Sequence, residues 1–166
     1  MNGWWVTGFA DGESWFFSRP LLRGYKKDRS IQVQWSITLR DDDEEVIYKI
    51  KDYLGVGSVS RRTGKSKVNN GQISLNVYGV KNAKVLIEHF TKYPLQSKKV
   101  NDYIIWKQIV ERLDKKLHLK SDKDFIETVK LCDDLRIVRL YEKTPNQLKS
   151  VSGSNKLYVD KVLERM

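Results

Sequence analysis

One cysteine, Cys132, stands in 166 residues, which excludes an internal disulfide and any cysteine-built zinc cluster. It lies in the helical-looking stretch "FIETVKLCDDL" and reads as a buried thiol. The two histidines, His89 and His118, are far apart and match no metal-ligand spacing. No apolar run approaches the roughly 20 residues of a membrane span. The N-terminus also lacks the charged-then-apolar pattern of a secretory signal. A soluble protein with no membrane partner and no visible address is therefore expected. Acidic residues are in deficit, 21 against 31 basic ones, for a net charge of +10. That imbalance favours a polyanionic partner, with nucleic acid ahead of a membrane surface.

The length suits one domain with a real core, and 40% hydrophobic with 31% charged residues is a globular balance. Residues 3 to 12 read as a short helix, followed by an aromatic-rich, strand-like stretch over 14–22 and the basic turn "RGYKKD". Over 31–40 the alternation is clean: Ile31, Val33, Trp35, Ile37 and Leu39 on one face, Gln32, Gln34, Ser36, Thr38 and Arg40 on the other. "DDDEEVIYKIKDYLGVG" starts a helix that Asp41 or Asp42 can cap and Gly55 stops. Two more strands, "GSVSRR" and "QISLNVYG", are joined by a polar loop, and helices follow at about 81–92, 97–117 and 122–141. "SVSGSN" reads as a linker before a last short helix. The expected fold is α+β, an αββαββα core over residues 1–142, with an antiparallel sheet, helices on one face and additional C-terminal helices. Residues 143–166 are expected to form a linker and short helix.

With one sheet face on the helices, the polar face must point elsewhere. It carries Gln, Ser, Thr, Asn and Arg, side chains that hydrogen-bond base edges or phosphates. A merely solvated face tends instead to carry Lys and Glu. Basic residues gather at the turns: Arg23, Lys26, Lys27 and Arg29 in one, Arg61, Arg62, Lys65 and Lys67 in the other. The sheet therefore reads as a nucleic-acid-binding face.

"GFADGE", residues 8 to 13, is the chain's oddest segment. Gly8 and Gly12 fall on one helical face, and each costs about 1 kcal/mol against alanine. The compensation expected is a second backbone packed very close. Glu13 then lies at the helix end, where a partner helix would bring its own acid. Two neighbouring carboxylates call for a positive charge between them, and oxygen ligands suit Mg²⁺.

"VTGFADGES" resembles the signature of the LAGLIDADG homing endonucleases. "GVGSVS" and "IEHFTKYPLQSKKVNDYIIWKQI" are similar to further segments of that family, so the resemblance covers about residues 3 to 140. It implies a saddle-shaped sheet and a site-specific endonuclease making metal-dependent double-strand breaks in double-stranded DNA, with short 3′ overhangs. By position, Glu13 would be catalytic and bind metal with its side chain, while Gly12 offers its carbonyl. The ion would be Mg²⁺, with Mn²⁺ or Ca²⁺ able to occupy the site. Lys98 would be the active-site lysine, with Lys99 taking that place if the register slips by one. Trp5, Gly8, Phe9, Asp11 and Gly12 would form a dimer interface, Asp11 mostly capping the partner's motif helix.

One motif per chain implies a homodimer on a roughly palindromic target. Each sheet would read one half-site through Trp15, Phe17, Arg19 and Leu21, then Gln32, Gln34, Ser36, Thr38 and Arg40. Ser58, Ser60 and Arg62 follow on the third strand, and Gln72, Ser74 and Asn76 on the fourth. Arg23, Lys26 and Lys27 in the turn, with Lys149 and Lys156 near the linker, would add phosphate contacts. Trp15 and Phe17 are equally open to a core reading, since the phase of 14–22 is not fixed. Thr7 and Ser14 depart from the family's usual small residues, and Leu39 stands near a position often polar in relatives. Two rival functions share the fold: an intron RNA-splicing maturase, and a sequence-specific DNA-binding protein that has lost catalysis. Two-motif relatives have halves of this size, so half of a larger enzyme is a further reading. Intron-borne relatives imply an organellar location, mitochondrion or chloroplast.

Overall fold

The computed structural model describes residues 1–22, 29–64, 71–141 and 157–165. Their order is α1 (Gly3–Glu13), β1 (Ser14–Pro20), β2 (Ile31–Arg40), α2 (Glu44–Leu54), β3 (Ser58–Arg62), β4 (Gln72–Tyr78), α3 (Gly79–Lys92), α4 (Lys99–Asp114), α5 (Asp122–Tyr141) and α6 (Tyr158–Leu163). The strands form one sheet in the order β1-β2-β4-β3, with β2 and β3 both antiparallel to β4. The expected α+β fold and its core element order are thus present. The boundary expected at 142/143 falls among residues outside the described set.

Contacts divide the chain into two compact units: residues 1–16 with 34–100, and residues 17–33 with 101–166. In the first, Trp35, Ile37, Ile73, Leu75 and Val77 project from β2 and β4 into a core completed by Ile47, Ile50, Leu86 and Phe90. Burial of each such side chain contributes about 1.5–3 kcal/mol. Helix α2 ends where Gly55 takes a left-handed φ of 69° and its N–H returns to the Lys51 carbonyl.

The start of α2 differs from expectation. Asp41–Asp43 form a 3-10 turn, and Asp43 occupies the cap position without a side-chain cap bond. Asp42 pairs with Arg40 instead, while the Asp41 N–H donates to the Gly71 carbonyl. The Asp42 carboxylate is thus held by the strand residue Arg40 and does not cap the helix.

In the second unit, Phe125, Val129 and Val162 are buried, with Leu22, Ile31, Tyr158 and Val159 packed against them. The buried Asp133 accepts from the Tyr158 and Val159 N–H groups at 2.8 and 2.9 Å. This carboxylate supplies what a helix start lacks and fastens α6 to α5. Cys132 is buried as expected, and burial pushes its thiol up to about 12.

Candidate active site and nucleic-acid face

Helix α1 begins on Asn2, whose Oδ1 accepts from the Trp4 N–H at 2.9 Å, and runs one residue past the expected end, to Glu13. Gly3, Val6, Thr7 and Ala10 are buried. Trp5, Gly8, Phe9 and Gly12 line a different, outward face at i, i+3, i+4 and i+7. Trp5 is 44% exposed and stacks on Phe9 with ring centroids 5.2 Å apart. A Cβ at Gly8 or Gly12 would meet nothing within 4 Å. No described residue of this chain lies close enough to Gly8 or Gly12 to require glycine there.

Asp11 is not presented outward as a cap for another helix. Its carboxylate accepts from the Gln96 N–H at 2.8 Å, the Ser97 N–H at 3.2 Å and the Ser97 hydroxyl at 2.7 Å. The Ser97 Oγ in turn accepts from the Lys99 N–H at 3.2 Å. Ser97 thus acts as a cap, which is why α4 starts at Lys99 and not at 97. The same bonds bring the paired lysines to the end of α1. There the Lys99 ammonium donates to the Ser14 carbonyl, next to Glu13. Lys98 is exposed and bonds to no described residue.

Glu13 is exposed and its carboxylate has no bonded partner among the described residues. It opens on a cavity of about 390 Å³ lined also by Thr38, Leu39, Arg40, Asp43, Gly71 and Gln72. Arg40 and Gln72 face each other in the β2–β4 register. Asp43 was not among the residues singled out from sequence, because the run "DDDEE" reads as a helix terminus. Asp43 reaches the cavity from the end of the 3-10 turn that precedes α2. Among the described residues no group of three or more His, Cys, Asp or Glu could hold a metal ion. The oxygen donors at the α1 end nonetheless fit a hard divalent cation, provided water, substrate or another motif completes its shell.

The polar sheet face forms rungs across three strands: Ser36–Asn76–Ser58, Thr38–Ser74–Ser60 and Arg40–Gln72–Arg62. Its middle is not open. Ser36 is fully buried, and Gln34 and Asn76 are each 8% exposed. Gln34 Nε2 donates to Ser36 Oγ and Asn76 Oδ1, Ser36 Oγ donates to Asn76 Oδ1, and Asn76 Nδ2 donates to Ser60 Oγ. Ser58, Ser60, Arg62 and Gln72 are exposed; Thr38 and Ser74 are half-buried and bond each other at 2.9 Å.

On β1, Ser14, Phe16, Ser18 and Pro20 are buried, while Trp15 and Phe17 are half-buried and Arg19 is exposed. The outward phase is therefore Trp15, Phe17, Arg19, and the core reading of the two aromatics gives way to it. Leu21 lies just beyond the strand and is half-buried. Arg23, Lys26, Lys27, Lys149 and Lys156 lie outside the described residues.

A buried contact absent from the sequence reading supports α1 from below. The Thr7 hydroxyl donates to the Tyr93 carbonyl at 2.8 Å, and His89 Nε2 lies 3.1 Å from the same oxygen. The hydroxyl has one hydrogen, so the imidazole must donate through Nε2. Burial lowers the His89 pKa below its ordinary 6.5. The departure at Thr7 thus buys a hydrogen bond between α1 and α3.

The family model described as LAGLIDADG endonuclease matches residues 6–110, more than half the chain. A Neurospora crassa protein named "Probable intron-encoded endonuclease 2" is 30% identical over 134 residues, 76% of this chain and 28% of its own length. The meganuclease I-CpaMI, solved bound to uncleaved DNA, superposes with a TM-score of 0.71 at 26% identity, over 100% of this chain and 50% of that one. The homing endonuclease I-TnaI superposes with a TM-score of 0.72 at 21% identity over 98% of both chains, which shows the shared fold. The chain spans about a quarter of the length of the curated relatives it matches, 26% and 28% for two of them.

Proposed function

The chain belongs to the LAGLIDADG endonuclease family, and on that premise we propose that it is a site-specific DNA endonuclease that makes metal-dependent double-strand breaks in a long, roughly palindromic site and leaves short 3′ overhangs. The observation that carries this reading is the unpaired Glu13 carboxylate at the end of α1, opening on a cavity beside the glycine face.

Glu13, with the Gly12 carbonyl, would hold Mg²⁺, or Mn²⁺ or Ca²⁺ in its place. Such an ion, when bound, polarises a phosphate and lowers the pKa of an attacking water. The chain's own residues do the rest. The lysine pair puts a positive charge beside the phosphate, where negative charge grows during hydrolysis. Lys99 is preferred over Lys98 for this role, because its ammonium already lies against the residue following Glu13. Arg40 and Gln72 line the cavity as hydrogen-bond donors within reach of an entering phosphate, and Thr38 and Ser74 bond each other beside them.

The outward face of Trp5, Gly8, Phe9 and Gly12 supports a homodimer, in which a second copy's α1 completes the site. The intron-encoded relative supports an organellar origin. Among the described residues no helix is long and apolar enough to cross a membrane.

Cleaved sites selected from a randomised DNA library with Mg²⁺ test the reading. Wild type should cut a family of related sites and Glu13→Gln should cut none. Cutting that persists in the variant sinks the assigned site. Absence of cutting together with specific RNA binding would replace the endonuclease with a maturase.

A further inference from the structure

Arg19 lies on the outward phase of β1 and is exposed. Its guanidinium is held on two sides. The Cζ stands 5.7 Å from the centroid of the Phe17 ring, two residues away on the same strand face. Its Nε donates to Gln32 Oε1 at 3.2 Å, across to β2. An arginine can only donate, so this bond also fixes which end of the Gln32 amide faces it.

With Nε committed, the two Nη groups remain, and they bond to no described residue. Three other arginines of the sheet and its flanks are ion-paired, Arg40 with Asp42, Arg61 with Glu44 and Arg29 with Asp122, whereas Arg62 on β3 shares with Arg19 the lack of a carboxylate partner among the described residues. A surface arginine normally loses much side-chain entropy on binding. This one is already oriented by a ring and an amide, which lowers the cost of binding a planar partner.

Two parallel donors from one guanidinium match the O6 and N7 acceptors of guanine in the major groove. We propose that Arg19 reads a guanine in the target half-site and that Gln32 is its positioning residue. The inference rests on the DNA-binding reading above and deepens it, since it names one base and the side chain that selects it. A phosphate could accept the same fork, but that contact would carry no sequence preference.

Two selections on the full chain separate the outcomes: cleaved sites for wild type, and bound sites for Glu13→Gln, each repeated with Arg19→Ala. Wild type should require G at one position of each half-site. Arg19→Ala should lower discrimination there by about ten- to a hundred-fold and leave the other positions unchanged. Gln32→Leu should weaken the same preference and leave the other positions unchanged, and Gln32→Glu, which would place a carboxylate against the guanidinium, should weaken it further. A uniform loss of affinity across all sequences would assign Arg19 to phosphate and overturn the proposal. An unaltered base profile in Arg19→Ala would overturn it too. A G preference that depends on Arg19 in the bound sites, without any cleavage, would uphold it while removing the endonuclease reading.

Discussion

At the scale of single residues, the two lysines after Ser97 offer a direct comparison. Lys99 is tied to the end of α1 through the Ser14 carbonyl, and Lys98 faces solvent. Lys99→Met should reduce single-turnover cleavage by roughly 100- to 1,000-fold, the scale for losing one donor to developing charge, with DNA binding retained in a gel-shift assay. Lys98→Ala should act mainly on affinity. The reverse ranking would restore the assignment by sequence position. His89 gives a pH prediction. Its folded pKa lies below that of the unfolded chain, so the unfolded state binds the proton first. Stability should therefore be full above the ordinary value of 6.5 and fall as pH drops below it. His89→Gln should flatten that slope in thermal melts followed by circular dichroism.

At the scale of elements, α1 was the most legible part of the sequence. Glycines four apart and a terminal acid leave few structural explanations, and the helix does end at Glu13. Gly55 stopping α2 was equally plain, because a left-handed cap selects glycine. The polar sheet face was legible only in phase. Alternation tells which residues share a face, but not that Ser36 and Asn76 are covered while Ser60 is open. The start of α4 was hidden for a different reason: it is set by Asp11, 86 residues from Ser97. Helix α1 also carries the sharpest element-level prediction. Gly8→Leu introduces no near contact within the chain at Cβ and gains about 1 kcal/mol of helix propensity. The isolated protomer should melt at a higher temperature, while gel filtration should show the dimer lost and cleavage should disappear. A variant that still dimerises would remove the glycine face from the interface.

At the scale of the whole molecule, the +10 charge is matched to a polyanion, and the proposed binding to DNA should respond to salt according to the number of phosphates contacted. If six or more phosphates are contacted, affinity should fall by about a thousand-fold or more between 50 and 200 mM salt. Filter binding over that range checks it, and a flat response would mean that the excess lysines and arginines do not grip DNA.

The bonded rungs of the sheet have an implication for how such a protein acquires a new target. Asn76 holds Gln34, Ser36 and Ser60 in one network. Changing any member alone strands its neighbours' donors or acceptors, so a substitution at the buried Gln34, Ser36 or Asn76 also disturbs the placement of the exposed Ser60. Lineages should therefore change such a network by replacing several of these residues together, and directed evolution of this face will need libraries that vary them jointly.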